Sequence, residues 1–310
     1  MLQIAYREVA PNHPVRVSTP VLAEPFATYY PIVGTPKLYA GQTVRLEGVA
    51  EECERPASIR LFARCFASED ESNRVTTTRL EYGEPVRLEP SAPFTLTLPV
   101  PGERGFPVRD IGVEIAGGPS ARGSVLVDRV SLTGRPEVHI PDELPRHKDR
   151  TVLGWVVDAD RVMGRFAQDP QPMTYFGKDE GRGVLVTGND EWTDYTISGR
   201  FTITCADAGG LIARYQGLQR FVALVKTRDA LKLVLNFYGE TVLAETPCAW
   251  QLGDLHELAL AARGTQLVGY LDGKEVLRGT DDRLGRGGAG YLVQDGMAGF
   301  RETAIVGVSE

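Results

Sequence analysis

Histidine and cysteine are scarce in this chain, four of each in 310 residues. The cysteines stand at 53, 65, 205 and 248 and form no CxxC pair, so no zinc-finger spacing exists. They are expected as free thiols in or near the core, with a Cys53–Cys65 bridge as the alternative. No stretch approaches the roughly 18 apolar residues that a membrane span requires. The opening MLQIAYREVAPNHPVRV lacks a basic segment followed by an apolar one, so it does not read as a secretory leader, and a cytoplasmic location is the expectation. A basic surplus is missing too. With 41 acidic against 34 basic residues the net charge is −7, which argues against nucleic acid or an anionic membrane as the main partner. Helical periodicity is absent throughout.

What the chain does have is short runs of β-branched and aromatic residues cut by turn signals. They are densest between Gly181 and Tyr238, where Gly188-Asn189-Asp190, Asp207 to Gly210, Gly217 and Arg228-Asp229 punctuate five such runs. Within Tyr195-Thr196-Ile197-Ser198-Gly199-Arg200-Phe201, apolar and polar positions alternate, so one face should be packed and the other wet. The first 30 residues, broken by Pro11, Pro14, Pro20 and Pro25, read as irregular. From Leu38 to Leu132 strand patterns recur, among them Thr43 to Val49, Ser58 to Phe66, Arg74 to Tyr82, Phe94 to Val100, Asp110 to Ile115 and Ser124 to Leu132. The segment PEVHIPDELPRHKDR, residues 136–150, combines proline with charge and reads as a linker. These features predict an all-β protein of two tandem antiparallel sandwiches. Residues 1–135 form the first, 136–150 connect, and 151–310 form the second.

The strands GQTVRLEGV, SIRLFARCF and VLVDRVSLTG, in that order, resemble the galactose-binding-like jelly rolls common among carbohydrate-binding modules. The second half resembles the concanavalin A-like lectin and glucanase sandwich. The elements that carry this are EWTDYTISGRFT, the pair GGLIARYQ and RFVALV, and the hairpin LVGYLDGKEVL. More narrowly, GRGVLVTGNDEWTDY followed by TVLAETPCAW and HELALAARGTQLVGYLDGKEVL looks like the C-terminal accessory region of bacterial ADP-ribosylglycohydrolase-family proteins. Their helical, magnesium-binding catalytic part has no counterpart here, so that activity does not carry over.

No catalytic set is complete. The Glu-x-Asp-x-x-Glu strand motif of the glucanase branch is absent, and the nearest acids are Asp179, Glu180, Glu191 and Asp194, which sit around turns. His13, His139, His147 and His256 lie outside any nucleophile motif. His139, Asp142, His147 and Asp149 could hold a metal, but solvated linker residues are the plainer reading. Glycines 285 to 290 precede a strand, not the helix that a phosphate loop requires. Cofactors are not expected, although calcium at Glu69-Asp70-Glu71 or Asp281-Asp282 is conceivable. A binding face on the second sandwich remains. Arg214, Tyr215, Arg220, Asn236 and Tyr238 fall on adjacent strands, with Trp192 and Gln294 as flanks; core packing is the alternative for Trp192 and Tyr215. The expected role is non-catalytic recognition of a carbohydrate or a ribose-containing ligand, beside a glycan- or ADP-ribose-processing catalytic domain or protein. A glycosidase of the 3-keto-disaccharide hydrolase kind and a protein-interaction module are the alternatives.

Overall fold

The structure, a computed structural model, describes residues 2–10, 12–22, 38–70, 74–147, 151–152, 154–164 and 171–308. It is all-β, as the alternation predicts. Among the described residues the one departure is a three-residue 3-10 turn at Glu103–Gly105. No helix there is long and apolar enough to cross a membrane.

Among the described residues the first sandwich uses nine strands. β1 (Leu2–Val9), β2 (Val15–Pro20) and β3 (Gln42–Cys53) are followed by β4 (Ala57–Ala67), β5 (Thr77–Tyr82) and β6 (Val86–Arg87). β7 (Pro93–Pro99), β8 (Val108–Gly117) and β9 (Ala121–Gly134) complete it. One sheet runs β1-β9-β3-β7, and the other β2-β8-β4-β5 with β6 beside β4. In β3 the inward positions Val44, Leu46 and Ala50 are buried while Arg45 and Val49 face out, the two-residue period of a half-buried strand. These residues meet Ile59, Leu61 and Ile115 of the other sheet in one core.

The first 30 residues differ from the irregular segment that their prolines suggested. β1 and β2 are both edge strands, and Pro20 closes β2 at its last position. An edge strand needs hydrogen bonds on one side only, so a proline at its end costs little. Pro11 and Pro25 lie outside the described residues.

The linker also differs. Arg146–His147 (β11) pairs with Thr151–Val152 (β12), and Glu137–Ile140 (β10) adds to the last strand of the second sandwich, with His139 opposite Ala304. The segment therefore docks as a strand where its prolines and charges suggested free chain.

The second sandwich begins with Val156–Val157 (β13) and Arg161–Met163 (β14), both paired to the long Thr174–Thr187 (β15). β16 (Tyr195–Ile203), β17 (Ala208–Gly217), β18 (Arg220–Thr227), β19 (Ala230–Phe237) and β20 (Glu240–Pro247) follow. β21 (Leu255–Arg263), β22 (Gln266–Leu271), β23 (Lys274–Thr280) and β24 (Gly288–Gly307) end the fold. β24 belongs to both sheets. Its first part lies between β17 and the end of β15, in the sheet that runs on through β18 and β19 to β20. Its second part lies against β16 and the start of β15, in the sheet that runs on through β21 and β22 to β23.

The change of sheet falls at Asp295-Gly296, where the β15 register breaks between Lys178 and Arg182. Gly296 has φ +149°, and a Cβ there would sit 2.0 Å from the Cys205 carbonyl oxygen, so only glycine fits. Between the sheets, Leu211, Leu224, Leu233 and Leu235 meet Ile197, Phe201, Leu258, Leu260 and Leu267. A Cβ on Gly269 would lie 2.7 Å from Leu224 Cδ1, which shows how closely the two layers approach.

Candidate functional site

The seven residues read from the sequence as a binding face do not assemble into one. Arg214 sits at a bulge with φ +52°, and this turns its side chain into the sandwich, where the residue is 0 % exposed. Its Nη1 donates to the Leu284 carbonyl at 2.9 Å and its Nη2 to the Gly264 carbonyl at 2.6 Å, with Asp194 Oδ1 3.6 Å away. Burial pushes the guanidinium below its ordinary pKa, against the pull of Tyr195, Asp194 and Asp281. Trp192 is 1 % exposed and sits where the two sandwiches meet. It packs edge-on to Tyr39 of the first at 4.8 Å between ring centres and to Tyr195 of the second at 5.8 Å. Neither residue is available to a ligand, and the expected roles of Arg214 and Trp192 are corrected accordingly.

Tyr215 is half-buried and stacks on Phe221 at 6.4 Å; burial, and after it Asp158, raises its phenol pKa. Both belong to a cluster on the outer face of the first sheet with Val184, Val186, Ile212, Ala223 and Leu292. Phe221 and those five aliphatic side chains are at most 1 % exposed, so this face is filled. Arg220 lies over the Phe237 ring at 5.5 Å. Asn236 is buried and serves a turn: its Nδ2 donates to the Leu218 carbonyl at 3.4 Å and its Oδ1 accepts from Gly239 N at 3.3 Å. Tyr238 is 68 % exposed at the tip of that turn, and Gln294 is half-buried opposite Arg182 and Ala208.

The acids weighed for catalysis are scattered among structural tasks. Glu191 Oε2 accepts from Gln42 Nε2 of the first sandwich at 3.4 Å, Asp194 Oδ1 accepts from Gly264 N at 2.7 Å, and Asp179 pairs with Arg161. Asp142 Oδ1 accepts from Glu302 N at 2.6 Å, while Asp149 and the His147 side chain lie outside the described residues. Among the described residues no group of three or more His, Cys, Asp or Glu side chains could hold a metal. Asp281 is buried, and its Oδ2 takes the N–H groups of Arg283 and Leu284 while Oδ1 pairs with Arg283 Nε at 2.8 Å. A calcium ion would have to displace those bonds. All four cysteines are free, and Cys205 is exposed instead of lying near the core.

A polar pocket of ≈ 440 Å³ lies instead on the outer face of the second sheet, lined by Ser198, Gly199, Arg200, Glu257, Asp272 and Glu302. β16 supplies its floor: Ile197 and Phe201 point into the core, so Ser198 and Arg200 point out. Glu257 stands directly opposite Arg200 on β21. Opposite charges so placed ordinarily pair. Here no hydrogen bond or ion pair joins the Arg200 guanidinium or the Glu257 carboxylate to any described residue. A bulge in β24 brings up Glu302, at φ +50°, between the positions that pair with Ser198 and Arg200. Arg301 Nε lies 3.4 Å from Glu302 Oε1.

The last wall is Asp272, first residue of the Asp272-Gly273 hairpin turn. Both residues have positive φ, +48° and +75°, as this two-residue connection demands. The turn folds back on β21. Asp272 N donates to the Glu257 carbonyl at 2.8 Å, Oδ1 accepts from Glu257 N at 3.0 Å, and Oδ2 lies 2.8 Å from His256 Nδ1. Burial works against the charged carboxylate. The His256 contact, the Glu257 N–H and the Arg200 charge outweigh it and hold the carboxyl below its usual range. Alternation in residues 195–201 and the Asp-Gly turn were legible signals for Ser198, Arg200 and Asp272. Nothing local marked Glu257 or Glu302.

No family model matches this chain, and no curated protein does. Among solved structures it is similar to a carbohydrate-binding module, CBM66, from Bacillus subtilis. The identity is 19 % over 49 % of this chain and 95 % of that one, with a TM-score of 0.43. A Bacillus subtilis protein of unknown function with a galectin-like fold aligns at 12 % identity over 49 % of this chain and 89 % of its own, TM-score 0.37. The VIP36 exoplasmic/lumenal domain in its Ca2+/Man3GlcNAc-bound form aligns at 11 % identity over 50 % and 84 %, TM-score 0.35. The strand pairings themselves make the chain two antiparallel sandwiches.

Proposed function

We propose that the second sandwich binds a carbohydrate without transforming it, and that the Ser198–Arg200–Glu257–Asp272–Glu302 pocket is the site. The observation that carries this reading is the cross-strand pair Arg200 and Glu257, left unpaired on the floor of a polar pocket. A sugar diol presents, on neighbouring atoms, acceptors for a guanidinium and donors for a carboxylate. It can therefore complete both halves of the pair at once. Arg200 and Glu257 stand on β-strands, so little ordering of that pair is needed on binding. With no aromatic ring in the lining, recognition comes from hydrogen bonds of about 1 kcal/mol each, and affinity falls in the micromolar to millimolar range.

Three carboxylates against one guanidinium disfavour a diphosphate, so a neutral sugar suits this pocket better than an ADP-ribose-type ligand. Glycoside hydrolysis needs an acid that keeps its proton near neutral pH. Asp272 is held in the opposite direction.

Titration calorimetry of the whole chain with methyl glycosides of glucose, galactose, mannose and arabinose, and with ADP-ribose, tests the proposal. Saturable binding of a neutral glycoside that is lost in both Arg200→Ala and Glu257→Gln supports it. Absence of binding at millimolar glycoside, or binding unaffected by both changes, overturns it. The protein-interaction reading draws its own support from the exposed Leu218 and Tyr238 at two neighbouring turns.

A further inference from the structure

We propose that His256 is a positioning residue for this pocket: it sets the Asp272 carboxylate, and through it one wall of the sugar site. The inference rests on the carbohydrate reading above.

Asp272 belongs to a two-residue hairpin turn, an element that strand pairing alone leaves free to tilt. Its backbone fixes only the height of the turn above β21, through the Asp272 N–H to the Glu257 carbonyl. The direction of the carboxylate depends on two donors, Glu257 N and His256 Nδ1. An ionised carboxylate only accepts, so the ring carries its proton on Nδ1 and donates to Oδ2. Each oxygen then keeps a second lone pair for a ligand hydroxyl. The two bonds aim the carboxylate without consuming it.

The ring is itself held on several sides. Trp250 packs against it at 4.5 Å between ring centres, and that indole is fixed by donating Nε1 to the Asp254 carbonyl at 3.1 Å. Asp254 Oδ2 stands 4.0 Å from His256 Nε2. Of the pocket residues, Glu257 follows it in the chain, and Arg200 lies across the ladder from Glu257. His256 lines no part of the pocket, yet its one bond reaches a group that does. An imidazole packed on a tryptophan, with its N–H donor on a binding-site carboxylate, does for Asp272 what an outer partner does for a metal ligand. It removes rotamers that would aim the acid away.

The test compares the whole chain as wild type, His256→Ala and His256→Asn, because the asparagine amide places an N–H donor near the position of Nδ1. Each is titrated with the four methyl glycosides, and the amide resonances of Glu257 and Gly273 are recorded without sugar. We expect His256→Ala to weaken glycoside binding about tenfold and to shift both amides. We expect His256→Asn to restore affinity to within about threefold and to return the amides toward wild type, with all three proteins melting together. Equal affinity in wild type and His256→Ala overturns the proposal. So does an asparagine variant that behaves as the alanine one does. If the wild type binds none of the sugars, the carbohydrate reading fails on its own. The amides then decide the positioning role: unmoved resonances in His256→Ala overturn it, and shifts reversed by asparagine uphold it.

Discussion

Arg214 gives its main-chain N–H to the Tyr195 hydroxyl at 2.6 Å, and that hydroxyl lies 2.9 Å from the carbonyl oxygens of both Gly287 and Gly288. One buried phenol thus gathers a bulge in β17 and the start of β24, while the arginine beside it ties down the carbonyls of Gly264 and Leu284. This knot closes one end of the second sandwich. It consumes a residue that, read from sequence, belonged to the binding face.

Arg214→Ala should therefore unfold far more easily than the wild type. Its loss leaves two carbonyls without their donors and a cavity in the core, a cost of about 3–5 kcal/mol. A melting temperature lowered by about 10 °C is expected in differential scanning calorimetry. Lysine should not rescue it, because a single ammonium cannot reach both carbonyls in the plane that a guanidinium spans. A melting point within about 2 °C of wild type would contradict this account.

Tyr195→Phe isolates the other half of the knot. The ring stays packed on Trp192, and only the hydroxyl is lost. The Arg214 N–H then has no acceptor in a dry interior, which costs about 1–3 kcal/mol. Denaturant titration should show a lower midpoint with an unchanged slope.

Tyr238 should be an easy place to gain stability. It holds φ +56°, a conformation that a tyrosine rarely adopts, and its ring is largely exposed. Asparagine accepts that conformation more readily, so Tyr238→Asn should raise stability by up to about 1 kcal/mol. Because the residue lies away from the Arg200 pocket, glycoside affinity should not change. A loss of affinity would move the site to the turns of the first sheet.

The acid limb of stability should report on Asp272. Its folded-state pKa is depressed. Its contribution is therefore complete above the unfolded aspartate value of about 3.9 and is lost as pH falls through the lower folded value. Asp272→Asn should flatten the stability profile below about pH 4 and leave its shape at neutral pH unaltered. The effect is small, since the carboxylate is half-exposed and solvent screens it. Urea midpoints measured from pH 2 to pH 7 on both proteins would reveal it.

Trp192→Ala should loosen the joint between the sandwiches. Tyr39 packs on this indole from the first unit, and a Cβ on Gly188 would lie 2.5 Å from it, so the ring fills its space completely. Truncation costs about 3–5 kcal/mol. It should also convert a joint thermal transition into two, seen as separate calorimetric peaks.

The sequence by itself determined the architecture. Alternation such as Val44, Leu46 and Ala50 against Arg45 and Val49 obliges a strand to bury one face, and turn signals divide the strands, so two packed sandwiches follow from local pattern. Pattern also marked which side of β16 is wet. It could not say which wet or polar residues meet. Arg214 reads as an outward arginine in a strand, and only the bulge that gives it a positive φ turns it inward. The prolines of the first 30 residues and the charges of 136–150 argue against regular structure, yet open sheet edges supplied partners for β1, β2 and β10. Arg200, Glu257, Asp272 and Glu302 are spread over about a hundred residues on three strands and a turn. Strand order and register brought them to one pocket, and both are set by long-range pairing that no local stretch of sequence records.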